Sequence, residues 1–86
     1  MHLDIITPEK KVFSAEVISV TVQGTEGQFQ VLNGHAAIVS TLEKGPIKVK
    51  TSNAEIEYQA EGGVVEVLNN KVIVLVEHAT GGNEAD

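Results

Sequence analysis

The sequence predicts an all-β protein, a small β-sandwich or flattened barrel of about eight to ten short strands. Three observations point there. Apolar and polar residues alternate with a period of two along most of the chain, and helical periodicity is nearly absent. Turn-forming Gly, Pro and Asn recur at a spacing of roughly ten residues. Val and Ile are abundant, and their restricted side-chain torsions suit strands. At 86 residues the chain forms one domain with a thin core. Only Phe13, Phe29 and Tyr58 are aromatic, so that core must be built mostly from Val, Ile, Leu and Ala.

The elements follow in order. Leu3 to Thr7 reads as the first strand. Thr7-Pro8-Glu9-Lys10 is a turn, with proline at its first central position, and Lys11 to Ser14 returns. Ile18, Val20 and Val22 alternate with Ser19, Thr21 and Gln23, as a half-buried strand does. Phe29 and Val31 alternate with Gln28 and Gln30. Ile38, Ser40 and Leu42 share one face, and Ala37, Val39 and Thr41 the other. A two-residue turn at Ser52-Asn53 sets Lys50 against Glu55 and Lys48 against Glu57, with Val49 against Ile56 and Ile47 against Tyr58 behind them. That register satisfies two charge pairs and two apolar pairs, whereas a one-residue slip turns the charges toward the core. Asn69-Asn70 makes a second tight turn, because asparagine tolerates positive φ. Val67 then pairs with Val72 and Val65 with Val74, leaving Val64, Ile73 and Leu75 on the opposite face. Lys71 to Glu77 is apolar on both faces, which predicts a central, well-covered strand. The domain spans residues 1–80, and residues 81–86 form a flexible acidic tail.

Composition narrows the function. Twelve acidic and six basic residues give a net charge of −6. Binding to nucleic acid or to anionic lipid needs a basic face, so both are disfavoured, while a basic protein partner is compatible. The simplest role of the charge is solubility. There is no cysteine, and His2, His35 and His78 do not fall in metal-ligand spacing, so no disulfide or zinc site is expected. The N-terminus lacks a basic segment followed by an apolar run, so no signal peptide is visible. The apolar run Val72 to Val76 is far too short to span a bilayer.

No residue set carries chemistry. Ser40 and Thr41 lack the Gly-x-Ser-x-Gly elbow that exposes a nucleophile. Glu55, Glu57 and Glu61 read as a solvated sheet face rather than a general acid–base pair. Gly24-Thr25-Glu26-Gly27 lacks the Gly-Lys-Ser or Gly-Lys-Thr of a phosphate loop and reads as a turn between strands. Glycines 24, 27, 34 and 45 mark places where the backbone needs positive φ, and Gly62-Gly63 marks a bulge or the tight entry to a strand. His35 reads as a loop residue bonded to nearby backbone or as an interface contact. The residues alone describe an acidic β-sandwich that presents an edge or loop to a partner.

An ordered set of segments goes further. These are Leu3-Asp4-Ile5-Ile6-Thr7-Pro8, Val12-Phe13-Ser14, Gly24 to Gly27, Gly34-His35-Ala36, Leu42, Gly45, Gly62-Gly63-Val64-Val65-Glu66-Val67 and Asn70-Lys71-Val72. In this order they resemble the N-terminal domain of the epsilon subunit of F-type rotary ATP synthases (the delta subunit in mitochondria), from about Leu3 to about Thr80. The resemblance implies a non-catalytic rotor subunit of the central stalk without a cofactor. One side of the sandwich would pack on the gamma subunit, and its lower rim would touch the polar loops of the c-ring. It implies membrane association only through the complex, on the cytoplasmic face of a bacterial inner membrane or the equivalent side of an organelle membrane. By position, Thr7 is carried over as gamma-facing, and Glu26, Gln28 and His35 as candidates for the c-ring rim. Family members often place an acid at the position of Gln28, which shifts weight onto Glu26. They often have proline around the histidine loop, where this chain has Asn33 and Ala37, so a less rigid loop is expected here. The family's C-terminal helical pair, with its inhibitory state and, in some bacteria, its ATP site, is not carried over, because the sequence stops where those helices would begin.

Two other classes compete. A stand-alone carbohydrate- or peptide-binding sandwich would display aromatics, yet Phe13, Phe29 and Tyr58 have core spacing. A small enzyme would need a clustered titratable pocket, and no residue set offers one.

Overall fold

The structure, a computed structural model, describes residues 1–85, with side chains described as far as Gly82. Its described residues hold eight strands and no helix. They are β1 (His2–Ile6), β2 (Lys11–Glu16), β3 (Ser19–Gly24), β4 (Gly27–Leu32), β5 (Ile38–Leu42), β6 (Gly45–Lys50), β7 (Glu55–Leu68) and β8 (Lys71–Ala85). The hydrogen-bonded order is β2-β1-β8-β7-β5-β3-β4, and β6 lies between β3 and β7. All pairs are antiparallel except β1 with β8.

Two strands are long, at 14 and 15 residues, and they make the sandwich. The first part of β7, Glu55 to Ala60, pairs with β6, and the second part, Gly63 to Leu68, pairs with β5. The chain changes layer at Gly62-Gly63. The β7–β8 register is continuous across this point, so the two glycines mark neither a bulge nor a strand entry. Gly62 takes a positive φ of 37° with open space around it, and Gly63 is needed for close approach. A Cβ on Gly63 would fall 2.0 Å from the carbonyl oxygen of Leu75. The bulge lies elsewhere, between Glu57 and Tyr58, where β8 holds one extra residue at Gly82.

Both hairpin registers follow from pairing arithmetic, and both are observed. Lys50 faces Glu55, Lys48 faces Glu57, Val49 faces Ile56 and Ile47 faces Tyr58. The lysines and glutamates oppose one another without forming an ion pair within 4.0 Å among the described residues. The Thr51 side chain finishes the turn, its hydroxyl oxygen accepting from the amides of Asn53 (3.2 Å) and Ala54 (3.0 Å). At the second hairpin Val67 faces Val72 and Val65 faces Val74. Asn69 and Asn70 take φ values of 50° and 62°, the left-handed pair that a two-residue turn requires.

Sixteen buried apolar residues form one core, ten of them valine, with Tyr58 its only buried aromatic. Phe13 lies half-buried, edge-on to Tyr58 at 6.2 Å between ring centres.

Three local expectations are corrected. Ile18 lies outside β3 and is 48% exposed, because Val17 takes the core position while the Ile18 amide donates to Lys50 O at 2.7 Å. Gly27 and Gly34 have positive φ, but Gly24 and Gly45 do not. Those two are held by close approach of Phe29 and Gln23 side chains. β8 is central, between β1 and β7, yet it is covered on one face only: Val72, Val74 and Val76 are buried, while Ile73 is half-buried and Leu75 is 45% exposed. The backbone pairing of β8 runs to Ala85, opposite Glu55. The side chains of residues 83–86, and all of Asp86, lie outside the described residues.

Candidate functional site

The uncovered face of β8 belongs to a larger surface. Residues paired across strands share a sheet face. Register places Ile6 beside Leu75, Leu75 beside Val64, and Val64 beside Thr41. The next row places Asp4 beside Ile73, Ile73 beside Glu66, and Glu66 beside Val39. These rows cross β1, β8, β7 and β5 on the side away from the core. Val39 is 69% exposed and Leu68 51%. Such a grouping of Ile, Leu and Val on one face is the usual mark of a surface meant to be covered.

Two clefts open on it. One, of about 380 Å³, is lined by Ile6, Thr7, Pro8, Gly63, Val64, Leu75 and Val76 with Glu77. Another, of about 280 Å³, is lined by Ala37, Ile38, Val39, Val67 and Leu68 with Glu66. The opposite layer differs in character. Its groove of about 400 Å³ sets Lys48 and Lys50 against Glu55 and Glu57, beside Ser19 and Thr21. Both signs of charge alternate there, as on a solvated sheet face.

A polar network borders the apolar face on β1 and β2. His2 Nε2 lies 3.2 Å from Asp4 Oδ1 and from Ser14 Oγ, and His2 Nδ1 lies 3.1 Å from Glu16 Oε2. The N-terminal ammonium donates to Glu16 Oε1 at 3.3 Å, and Lys11 Nζ stands 3.8 Å from Asp4. The Ser14 hydroxyl bond holds the Asp4 carboxyl below its ordinary pKa against the opposing pull of burial, with His2 and Lys11 adding to the fall. Glu16 is lowered by the N-terminal ammonium and then by His2. Among the described residues no three His, Cys, Asp or Glu side chains are placed to hold a metal ion.

The structure separates the four residues singled out in the sequence. Thr7 lines the larger apolar cleft. Its hydroxyl also closes the Thr7–Lys10 turn, donating to Lys10 O at 3.2 Å and accepting from the Lys10 amide at 3.3 Å. Glu26 is exposed at the tip of the β3–β4 hairpin, and Gln28 follows it, bonded to Gln23 at 3.4 Å. That tip is pinned to β5, where the Thr25 amide donates to Thr41 O at 3.0 Å and the two threonine hydroxyls meet at 2.8 Å. Thr41 ends the apolar row that begins at Ile6, so Thr7 and Glu26 lie at the same end of the sandwich. His35 does not join them. Five residue steps of β4, at about 3.3 Å each, separate the hairpin tip from Leu32, and His35 lies beyond, in the loop whose Asn33 and Gly34 bond the Asn70 side chain.

Sequence reasoning missed the apolar face itself. The signal is present in Lys71 to Glu77, apolar on both sides, a pattern that reads from sequence as a central, well-covered strand. The aromatics display no platform: Phe13 and Phe29 are half-buried and Tyr58 is buried. No helix among the described residues is long and apolar enough to cross a membrane.

Comparisons with known proteins agree with this architecture. The family described as "ATP synthase, Delta/Epsilon chain, beta-sandwich domain" matches residues 1–82. The ATP synthase epsilon chain of Chlorobium limicola is 45% identical over 76 residues, covering 87% of this chain and 86% of its own. That of Chlorobaculum tepidum is 43% identical over 79 residues, covering 91% and 90%. The longer epsilon chain of a Bradyrhizobium strain is 40% identical over 85 residues, and there the match spans 99% of this chain but 63% of the relative. Among solved structures, a chain of the Euglena gracilis mitochondrial ATP synthase superposes with a TM-score of 0.87 at 24% identity, over 92% of this chain and 51% of that one. A chain of the Tetrahymena thermophila mitochondrial ATP synthase central stalk and c-ring gives 0.83 at 22%, over 94% and 66%. At those identities the two structures establish the shared fold.

Proposed function

The chain belongs to the delta/epsilon-chain family of ATP synthases through its β-sandwich domain, and from that membership we propose that it is a central-stalk subunit joining the gamma subunit to the c-ring. Chains of this family are non-catalytic subunits of the complex. The role is mechanical: proton flow turns the ring, and the sandwich helps the shaft turn with it, coupling that flow to ATP synthesis. It performs no bond chemistry, binds no cofactor, and meets the membrane only through the complex, on its cytoplasmic face or the organellar equivalent.

One observation supports this reading above the rest. The face formed by Ile6, Val64, Ile73, Leu75 and Val39 is apolar and uncovered in the chain alone. Gamma takes that face, with Thr7 at its margin. A stable interface buries about 1,200–2,000 Å² in total, with a few dominant residues, and a face crossing four strands is broad enough to hold such a centre. The corner at Glu26 and Gln28 takes the c-ring loops, its exposed carboxylate suited to their polar or basic groups. His35, at the far end, stands apart from that corner.

Leu75 offers a cleaner probe than Thr7, because the Thr7 hydroxyl also closes a turn. Leu75→Arg places a charge at the middle of the apolar row on an exposed side chain. The variant should fold as the parent does and lose its complex with gamma. A complex of unchanged affinity would remove this face from the gamma interface.

A further inference from the structure

The segment Asn33–Ala37 contains no proline, carries a glycine at φ 80° and is exposed except for half-buried His35. Nothing in its own sequence restricts it. Ordering a free residue costs about 1–2 kcal/mol of backbone entropy, so a loop of this composition needs an external tie. One side chain supplies it. Asn70 Nδ2 donates to Asn33 Oδ1 at 2.7 Å, and Asn70 Oδ1 accepts the Gly34 amide at 3.0 Å. Asn70 O also accepts the His2 amide at 3.3 Å, so the same residue touches the first strand. Inside the loop the His35 amide donates to Leu32 O at 3.0 Å, and His35 Nδ1 lies 2.7 Å from Ala36 O.

We propose that Asn70 is the positioning residue of this loop, fixing where His35 is presented. Its backbone conformation makes the geometry possible. At φ 62° Asn70 completes the β7–β8 turn while its amide group reaches across 36 residues of sequence to Gly34. Both ends of that amide are used, one as donor and one as acceptor, which fixes its orientation. A loop held in place before a partner arrives loses less freedom on binding. That consequence rests on the rotor reading and on the further premise that the His35 loop meets another subunit at its own end of the sandwich, whereas the tie itself does not.

The adjacent Asn69 provides the control. It has the same left-handed backbone, at φ 50°, and no side-chain hydrogen bond among the described residues. Glycine adopts positive φ freely, so Asn69→Gly and Asn70→Gly both preserve the turn, and only the second removes the tie. Amide hydrogen exchange on the isolated chain should run about tenfold faster at Gly34 in Asn70→Gly than in Asn69→Gly, the factor one lost hydrogen bond is worth. Protection of Val65 to Val67 and Val72 to Val74 should be equal in the two. Equal exchange at Gly34 would overturn the proposal.

A second readout follows His35 itself, in ATP synthase stripped of this subunit and reconstituted with variants. Asn70→Gly should dissociate several-fold faster than Asn69→Gly, and that difference should vanish in a His35→Ala background. Additive losses would show that Asn70 does not act through His35. Retention untouched by His35→Ala would refute contact by His35 with another subunit and leave the exchange result to decide the tie.

Discussion

Gly63 is the residue at which this backbone has least room. Its missing Cβ would meet the carbonyl of Leu75 at 2.0 Å, on the neighbouring strand rather than on a flexible side chain. Gly63→Ala must therefore force β7 and β8 apart where the chain changes layer, at a cost of about 3 kcal/mol or more, the upper range of overpacking. Chemical denaturation of the variant measures it. Asp4 supports a prediction about pH. Its folded pKa is depressed, chiefly by the Ser14 hydroxyl bond, so its contribution to stability is present above the ordinary carboxylate pKa of about 3.9 and is lost as pH falls through the folded value. Asp4→Asn should be less stable than the parent near pH 6, and the gap should narrow toward pH 2 in urea melts. A gap of constant size would mean that the carboxylate's charge contributes nothing. Neither feature was legible beforehand. Gly62-Gly63 announced a special backbone position, but which atom crowds it depends on β8, and the Ser14–Asp4–His2 cluster depends on β1 pairing with β2. The separation of His35 from Glu26 was hidden for the same reason: nine residues apart in sequence, they lie at opposite ends of a strand.

The elements themselves were largely legible, because pairing across a tight turn is local arithmetic. Lys48, Lys50, Glu55 and Glu57 can oppose one another in only one register that also joins Val49 to Ile56, and that register is observed. Asn69-Asn70 likewise fixed every β7–β8 pair out to Gly63. β8 was misjudged on one face, since a strand of apolar residues looks the same whether its cover comes from its own chain or from another. The two faces can be weighed separately. Val74→Ala removes two buried carbons and leaves a cavity, costing about 2 kcal/mol or more. Leu75→Ala, one residue later on the exposed face, should cost less than about 1 kcal/mol in the isolated chain. Urea denaturation compares them. Equal losses would mean that the outer face is covered within the chain after all.

At the scale of the whole molecule, period and turn spacing specify an all-β class but not an order of strands. The parallel contact of β1 with β8 joins residues about seventy apart in sequence, and no local pattern encodes it. That contact brings Ile6 beside Leu75 and so completes the apolar face across four strands. The candidate site is therefore a product of topology, which is why only Thr7 at its margin could be named from a resemblance. The central claim is that this face is the gamma interface of a rotor subunit. The most direct measurement is the affinity of the isolated chain for the gamma subunit from the same source, by calorimetry, for the parent, Leu75→Arg and Lys48→Glu on the opposite layer. The account predicts a tight complex for the parent and Lys48→Glu, with a loss of a hundredfold or more for Leu75→Arg, the scale of a hot-spot residue at about 3 kcal/mol. Binding by Leu75→Arg as tight as the parent's, or loss through Lys48→Glu instead, would contradict it.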